Sequence, residues 1–468
     1  MRLHGIKTRR DFLRFSARTM SAVGAAAAFG PAGLLNQRAS AQSSDYKALV
    51  CIFLFGGNDA NNMLIPSGGA SAQYPYSFYS TVRGALAIPQ AQLVTVYDPV
   101  TNQDFGLHPS LAPLGQLYKP AAGAPRLAML ANVGTLVQPI TRTTKPNLNV
   151  ALPANLYSHS DQQQEWQNAV PSPAALVGKD PRNASTGWAG RLIDKLATAA
   201  TFPAGIGIDS GALQLVGINS QPTTLGGNGF TVANKDPDAM TGLQQMLVKL
   251  PGSATLLQAL QGSMSDALKV SQTIDALLAN AGSIQSQFPN TGLGQQLAQV
   301  ASVISVAQGG LGANRQIFFC SQGGYDTHSG QAGQQAQLFT ELGGAMAAFD
   351  TWLQGAGFGN KVATFTESDF SRTFQPNGNA GTDHAWGSHA LIMGPVKAAR
   401  IYGTFPTLKL QGPDDASDRG AWAPTTSSDQ YSAELAKWFG LAPADLGYVF
   451  PNLGTVTGNT MSTPGFLV

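Results

Sequence analysis

Four short apolar runs, each ending at glycine or at a polar segment, constrain the fold of this chain most strongly. The runs are residues 49–55, 127–133, 317–320 and 362–365. Continuous apolar runs of this length are typical of strands that helices cover on both faces of a parallel sheet. Between the last two runs, large apolar side chains recur every three or four residues from Leu338 to Leu353, which predicts a long helix. Strand, helix and strand together predict an α/β fold with a mostly parallel sheet.

Two parts of the chain lack this pattern. Residues 237–309 contain leucine and isoleucine at helical spacing without a strand-like run, which predicts a helical insertion. Residues 67–125 are rich in proline, tyrosine, serine and glutamine, which predicts long surface loops with one or two short helices. We expect a single α/β domain over residues 42–468 to carry both regions.

The N-terminus reads as a targeting segment. Arg9 and Arg10 form a twin-arginine pattern, and a weakly apolar run over residues 21–35 follows, too short to span a bilayer. A small-residue cleavage motif ends at Ala41. We therefore predict a signal peptide over residues 1–41. The twin-arginine translocase is then a partner during export, and the product is a periplasmic or otherwise exported protein without stable membrane insertion.

The leader also accounts for the basic character of the whole chain, whose net charge is +2. The first 41 residues hold seven of the 28 basic and one of the 26 acidic side chains. The remaining chain has 21 basic and 25 acidic side chains, a net charge of about −4. No basic face for nucleic acid is therefore expected.

The two cysteines, Cys51 and Cys320, lie inside apolar strand-like runs. Two cysteines provide no disulfide framework, and cysteine in such a run is usually a small buried apolar side chain. A Cys51–Cys320 disulfide remains an alternative if the two strands are neighbours in an oxidising compartment.

Aspartate and histidine cluster after the predicted strands. The candidate metal ligands are Asp59, Asp326, His328, Asp369, His384 and His389. Ligands of parallel α/β sheets gather beyond the carboxyl ends of the strands, and mixed carboxylate and imidazole donors suit Zn²⁺. Taken singly, each aspartate could instead cap a helix, form a turn or pair with an arginine. His108 is expected to be structural.

Two serines are candidate nucleophiles. Ser158 and Ser160 lie at the predicted start of a helix, where backbone amides stabilise an oxyanion. The alternative is a capping box between Ser160 and Gln163. Arg372 and Arg142 are candidates for binding the oxyanion of a substrate, because a guanidinium suits tetrahedral anions.

Five motifs together resemble the domain of unknown function family 1501. They are Phe-Gly-Gly-Asn-Asp at 55–59, Ser-His-Ser-Asp-Gln-Gln at 158–163, Gly-Gly-Tyr-Asp-Thr-His at 323–328, Thr-Glu-Ser-Asp-Phe-Ser-Arg-Thr at 366–373 and Asp-His-Ala-Trp-Gly-Ser-His at 383–389. That family resembles, more distantly, the alkaline phosphatase and sulfatase superfamily. The resemblance implies a three-layer α/β/α sandwich with two metal ions and a serine, threonine or modified cysteine nucleophile at the strand ends.

The same resemblance implies roles for the individual ligands. Asp59 would lie near the nucleophile, Asp326, His328 and His389 would serve one metal, and Asp369 the other. The superfamily commonly has Asp-His where this chain has Asp369-Phe370, so His384 would replace the missing partner. The chain has no Cys-x-Pro-x-Arg stretch, so a formylglycine sulfatase is not expected.

These observations lead to one principal hypothesis and two alternatives. The principal hypothesis is an exported hydrolase of phosphate or sulfate esters that uses one or two divalent ions, with Zn²⁺ favoured over Mg²⁺, Mn²⁺ or Ca²⁺, and a small anionic ester as its substrate. The first alternative is a non-catalytic exported binding protein that retains the fold and a structural metal. The second is a metal-free serine esterase, which matches poorly because Asp326 and His328 are separated by one residue rather than two.

Overall fold

A computed structural model describes residues 46–69, 72–141, 151–196, 202–226, 284–307 and 313–468, with isolated positions between 242 and 272. The predicted signal peptide and Arg142 lie outside the described residues. So does most of the predicted helical insertion, although one described helix, Gly292–Val306, falls in its C-terminal part.

Twelve strands and nine α-helices are defined within the described residues. The strands are β1 (Lys47–Leu54), β2 (Leu64–Pro66), β3 (Val94–Asp98), β4 (Gln103–Leu107), β5 (Leu127–Gly134), β6 (Gly205–Ile208), β7 (Thr223–Leu225), β8 (Arg315–Gln322), β9 (Val362–Ser368), β10 (Ser388–Met393), β11 (Ile401–Gly403) and β12 (Thr426–Ser427). The helices are α1 (Tyr76–Arg83), α2 (Ala112–Tyr118), α3 (His159–Asn168), α4 (Trp188–Leu196), α5 (Gly292–Val306), α6 (Gln331–Gly355), α7 (Ser428–Phe439), α8 (Leu446–Val449) and α9 (Leu453–Val456).

The main sheet of the described chain has nine strands in the order β11-β5-β10-β9-β1-β8-β6-β7, with β12 also paired to β5. Every pairing is parallel except those that β10 makes with β5 and β9. The prediction of a mostly parallel α/β sheet is confirmed. All four apolar runs lie in this sheet, as β1, β5, β8 and β9.

The central strand, β1, is flanked on both sides by parallel strands, β8 and β9. The chain passes from β8 to β9 through the 25-residue helix α6, which confirms the predicted βαβ unit. Along its predicted apolar face, Leu342, Met346, Phe349 and Leu353 are buried, and Leu338 is partly buried.

Two hydrophobic cores, one on each face of the sheet, make the fold three-layered. Alternate side chains of β1 enter different cores: Val50 and Ile52 pack with α5 and α6, whereas Leu49 packs with α4 and α7. Helices on both faces explain why the strands read as continuous apolar runs, since neither face meets water.

The register of β1 and β8 decides the state of the cysteines. Cys51 lies beside Phe319, and Cys320 lies beside Ile52, so the two cysteines are offset by one residue. Successive side chains of a strand point to opposite faces, so the two sulfurs enter different cores. Both cysteines are free, and the alternative of a disulfide is wrong.

Residues 67–125 differ from the prediction in one respect. The two short helices, α1 and α2, are present, but β3 and β4 join β2 in a three-stranded antiparallel sheet. These strands are five residues or shorter, and Thr95 and Tyr97 of β3 and Asp104 of β4 are exposed. They therefore lack the continuous apolar runs that identified the main sheet.

Within the described residues, no helix has both the length and the hydrophobicity that a membrane span requires.

Candidate metal centre

The candidate site lies beyond the carboxyl ends of β8 and β9. Asp326 and His328 lie in the loop after β8, and Asp369 directly follows β9. His384 precedes β10, and His159 is the first residue of α3. Four separate segments of chain therefore contribute side chains to one place, as ligand sites of parallel sheets commonly do.

Three imidazoles converge on the carboxylate of Asp326. Its Oδ1 lies 3.0 Å from Nε2 of His328, 3.4 Å from Nε2 of His384 and 3.5 Å from Nε2 of His159. One ligand atom each from His159, Asp326 and His384 lies within 4.8 Å of the others. Nε2 of His328 is also 3.1 Å from Nε2 of His384.

The other nitrogen of each ring is held by an oxygen atom. Nδ1 of His159 is 2.6 Å from Oδ2 of Asp369, and Nδ1 of His384 is 2.8 Å from the carbonyl oxygen of Tyr157. Nδ1 of His328 is 3.2 Å from Oδ1 of Asp383. Carbonyl and ionised carboxylate oxygens only accept hydrogen bonds, so in the neutral rings Nδ1 carries the proton and Nε2 has a lone pair.

Three imidazole lone pairs therefore face the carboxylate of Asp326. The guanidinium of Arg372 contacts Asp326 and Nε2 of His328 from one side, and a second cation between the three rings and the carboxylate would be favourable. Nε2 of His159 is buried and has no hydrogen-bond partner among the described residues. Metal-bound histidines typically donate their second N–H to a carboxylate or a carbonyl, as these three rings do. The donor set fits a divalent ion of the zinc type.

Asp369 contacts the cluster through a hydrogen bond to His159. Its carboxylate is buried and accepts hydrogen bonds from the amide of Gln163 at 2.9 Å and the backbone N–H of Gly56 at 3.3 Å. Its hydrogen bond to His159, together with its charge, raises the pKa of that imidazole. In this position Asp369 orients His159, and it is not a member of the group that surrounds Asp326.

Arg372 is fully buried, and its guanidinium connects three loops. Its N–H groups donate to the carbonyl oxygens of Gly56, Gly57, Tyr325 and Thr382, to Asp326 and, at 3.4 Å, to Nε2 of His328. Burial alone would raise the pKa of Asp326, but the hydrogen bond and the charge of Arg372 outweigh it and lower that pKa. Because these contacts engage every nitrogen of the guanidinium, Arg372 is better suited to fixing the loops than to binding a substrate.

Asp59 lies in a different environment from the cluster. Its buried carboxylate pairs with Arg83, accepts from Gln331 and caps the short 3-10 helix Ala60–Asn62 through the backbone N–H of Asn61 at 3.1 Å. This is the capping role that the sequence left open as the alternative to metal binding. The structure does not place Asp59 in the group around Asp326.

His389, on β10, is also separate from the group. Its Nδ1 accepts from the backbone N–H of Asn132 at 3.0 Å, and its ring stacks on Phe405 with centroids 5.0 Å apart. Burial lowers its pKa to about 3, which keeps the ring neutral. His108 is similar: it caps a short helix, and burial lowers its pKa to about 4, as expected of a structural histidine.

The two candidate serines flank His159 at the start of α3. The hydroxyl of Ser158 donates to Oδ2 of Asp161 at 2.5 Å and lies 3.2 Å from the hydroxyl of Ser160, which is exposed. Ser158 is the N-cap residue but forms no side-chain capping bond. The alternative of a capping box between Ser160 and Gln163 is wrong, because Ser158 rather than Ser160 is the N-cap residue and Ser160 lies inside the helix.

The sequence analysis did not predict a role for two residues of the cluster, His159 and Asp383. His159 follows no strand-like run, so the strand-end criterion passed over it, although it lies within the quoted 158–163 motif. The sequence feature that could have identified His159 is its position among polar residues at a predicted helix start. His108, by contrast, follows the apolar residue Leu107. Asp383 is the first residue of the 383–389 motif, and its sequence context indicated no function for it.

Comparison with known proteins identifies a family. The family model described as "Protein of unknown function (DUF1501)" matches residues 46–418. None of the curated proteins matches the chain.

Several solved structures are similar to it. One is the C-terminal periplasmic domain of EcEptC from Escherichia coli, with 8% identity over 91% of this chain and 88% of that chain and a TM-score of 0.36. A second is a protein in the alkaline phosphatase superfamily from Vibrio parahaemolyticus, with 10% identity over 91% and 75% and a TM-score of 0.34. A third is the PsFucS1 sulfatase from Pseudoalteromonas sp., with 9% identity over 93% and 73% and a TM-score of 0.32. The roles of the site residues rest on the geometry described above.

Proposed function

The chain belongs to the DUF1501 family of proteins of unknown function, and we propose that it is an exported metal-dependent hydrolase of phosphate or sulfate esters. One observation carries the proposal: three imidazole Nε2 atoms face the carboxylate of Asp326, and each ring is held at Nδ1 by an oxygen atom. The ligands we propose are His159, Asp326, His328 and His384.

The donor set favours Zn²⁺ over the other divalent ions. Mg²⁺ and Ca²⁺ prefer oxygen ligands, whereas Zn²⁺ commonly binds several imidazoles with a carboxylate. When bound, a divalent ion would polarise the ester and lower the pKa of a nucleophile.

The start of α3 would supply the nucleophile. Ser158 is the better candidate, because Asp161 holds its hydroxyl and the free N–H groups at the helix N-terminus would stabilise negative charge on the transferring group. The Ser158 oxygen would bond to phosphorus or sulfur as the ester oxygen leaves with a proton. Water would then hydrolyse the serine ester. Ser160, which is exposed beside it, is the second candidate.

Substrate recognition follows from the charges at the site. We propose a small anionic ester, whose charge would be balanced by the metal and by the helix N-terminus, because the N–H groups of Arg372 are engaged elsewhere. Arg142 remains a proposed substrate-binding residue.

We also propose export by the twin-arginine translocase. Replacing Arg9 and Arg10 by lysine should retain the precursor inside the cell when fractions are immunoblotted.

The proposal is tested with full-length protein exported through its own leader. Purified protein is expected to contain bound Zn²⁺ and to hydrolyse at least one of p-nitrophenyl phosphate, bis(p-nitrophenyl) phosphate and p-nitrophenyl sulfate. A chelator should abolish turnover, and Zn²⁺ should restore it. Ser158→Ala should remove turnover and keep the metal, whereas Ser185→Ala, an exposed serine bound only to a backbone carbonyl, should leave both unchanged. A folded protein that binds no divalent ion would contradict the proposal.

A specific observation favours a second candidate, a non-catalytic binding protein with a structural metal. The hydroxyl of Ser158 donates to Asp161 rather than to a histidine, and hydrogen bonds from Ser158 and Asn155 lower the pKa of that carboxyl, which makes it a weak base. This candidate predicts metal-loaded protein that turns over none of the esters and loses stability when the metal is removed.

A further inference from the structure

We infer that Asp383 is the positioning residue that fixes His328 as the fourth donor of the metal centre. The inference rests on the proposed function, because it assumes that the cluster around Asp326 binds a metal. It adds a residue to which neither the sequence motifs nor the comparisons assign a role.

The carboxylate of Asp383 is fixed at both oxygens. Oδ1 faces Nδ1 of His328 at 3.2 Å and accepts from the amide of Asn377 at 3.1 Å. Oδ2 accepts from Nη1 of Arg419 at 2.6 Å. A carboxylate held in this way has one orientation to offer the imidazole, and Arg419 offsets its charge.

The loop that carries Asp383 is packed directly on the loop that carries His328. The amide of Asn377 also donates to the carbonyl oxygen of His328 at 3.0 Å, and the N–H of Thr382 donates to Thr327 at 3.1 Å. At Gly381, a Cβ atom would lie 2.2 Å from the backbone carbonyl carbon of His328, so only glycine permits this approach. The two loops therefore fix the separation of Asp383 from the imidazole.

His328 needs an external support more than the other two imidazoles. Its side chain is 46% exposed, compared with 29% for His159 and 25% for His384. An exposed imidazole can rotate, which turns the Nε2 lone pair away from the centre, and can exchange tautomers, which puts a proton on Nε2 in place of the lone pair. Asp383 prevents both by accepting the Nδ1 proton. Oxygen partners of metal-bound histidines typically contribute 10–100-fold to metal affinity.

The test measures Zn²⁺ affinity by competition with a chromophoric chelator, on full-length protein that has been made metal-free and then titrated. Asp383→Ala should weaken Zn²⁺ binding about 10–100-fold. Asp383→Asn keeps an acceptor oxygen and should recover part of that loss. The matched control is Asp180→Ala, which removes a surface carboxylate with a comparable arginine partner, Arg182, at 2.6 Å, and should leave the affinity unchanged.

A second readout separates orientation from general stability. Nitrogen chemical shifts of the imidazole should show the Nδ1–H tautomer of His328 in the wild type and a tautomer mixture in Asp383→Ala. If Asp383→Ala does not fold, Asp383→Asn and Arg419→Gln carry the same test, with a smaller loss of affinity and the same direction of tautomer change.

Zn²⁺ affinity within twofold of the wild type in the folded Asp383 variants, with the His328 tautomer unchanged, would overturn the inference. Wild-type protein that binds Zn²⁺ but hydrolyses no ester would contradict the hydrolase and leave this inference standing. Wild-type protein that binds no Zn²⁺ would contradict both.

Discussion

His159 and His389 show how the environment of a histidine distinguishes a proposed metal ligand from a structural residue. Nε2 of His159 is buried, faces Asp326 and has no hydrogen-bond partner in the part of the chain that the structure describes, whereas His389 accepts a backbone hydrogen bond inside the core. We expect His159→Gln to lose bound Zn²⁺. His389→Gln should retain the metal but lose about 1–3 kcal/mol of stability, through lost packing and an imperfect hydrogen bond. Elemental analysis and urea denaturation check the pair. Metal loss in His389→Gln, with metal retained in His159→Gln, would reverse the assignment.

Glu165, in the helix that begins with His159, makes a prediction about pH. Burial raises the pKa of its carboxyl from the ordinary value of 4.5 to about 9. The folded protein therefore keeps a proton that the unfolded chain loses above pH 4.5. The stability from this group is fully present below that pH and is lost as the pH rises towards 9, by up to about 1.4 kcal/mol per pH unit.

Glu165→Gln keeps the shape of the side chain and removes this titration. The free energy of unfolding of the variant, measured relative to the wild type, should therefore increase steadily from pH 5 to pH 8. Denaturant titrations across that range measure the difference. A constant difference would show that Glu165 is ionised in the folded protein.

The sequence predicted some residues of the candidate site and missed others. Asp326, His328 and His384 were chosen because they follow or precede strands, and the structure brings them together. The same criterion selected Asp59, whose partner Arg83 is 24 residues away along the chain and could not be inferred from its neighbours. The same criterion did not select His159, because this proposed ligand lies at the start of a helix rather than after a strand.

At the scale of secondary-structure elements, the register of β1 and β8 gives a prediction about the thiols. Because Cys51 and Cys320 enter opposite faces of the sheet, both should remain reduced even in an oxidising compartment. Alkylation in denaturant without a reducing agent, followed by mass spectrometry, should show two modified cysteines. A protein that gains label only after reduction would contradict the register.

The four central strands and helix α6 were predictable, because their burial produces an apolar pattern that is visible over a few consecutive residues of the sequence. Strands of the central sheet appear as continuous apolar runs, and α6 appears as a periodic apolar face. The sheet of β2, β3 and β4 left no such signature, because β3 alternates between buried and exposed side chains and only three residues of β4 are buried. Register is also absent from a single sequence, since it depends on which strands become neighbours. The disulfide question could therefore be settled only from the structure.

For the whole molecule, the proposed metal centre would join segments that are far apart in the sequence, so loss of the metal should affect global stability. A ligand that binds only the folded state, at a free concentration 100 times its Kd, stabilises that state by about 3 kcal/mol. Wild-type protein should therefore unfold at lower urea concentration after chelation, and Zn²⁺ should reverse the change. His159→Gln should unfold at the same urea concentration with and without the chelator. An equal shift in both proteins would place the responsible metal elsewhere.

The most direct test of the central claim is an anomalous-difference map from crystals of Zn²⁺-loaded protein, recorded above and below the zinc absorption edge. The metal centre predicts one strong peak about 2.0–2.2 Å from Nε2 of His159 and of His384 and from a carboxylate oxygen of Asp326, with His328 completing the site. A peak at Asp59 or His389 would contradict the proposed metal centre. So would the absence of a peak at His159 in crystals of protein that hydrolyses an ester only in the presence of Zn²⁺.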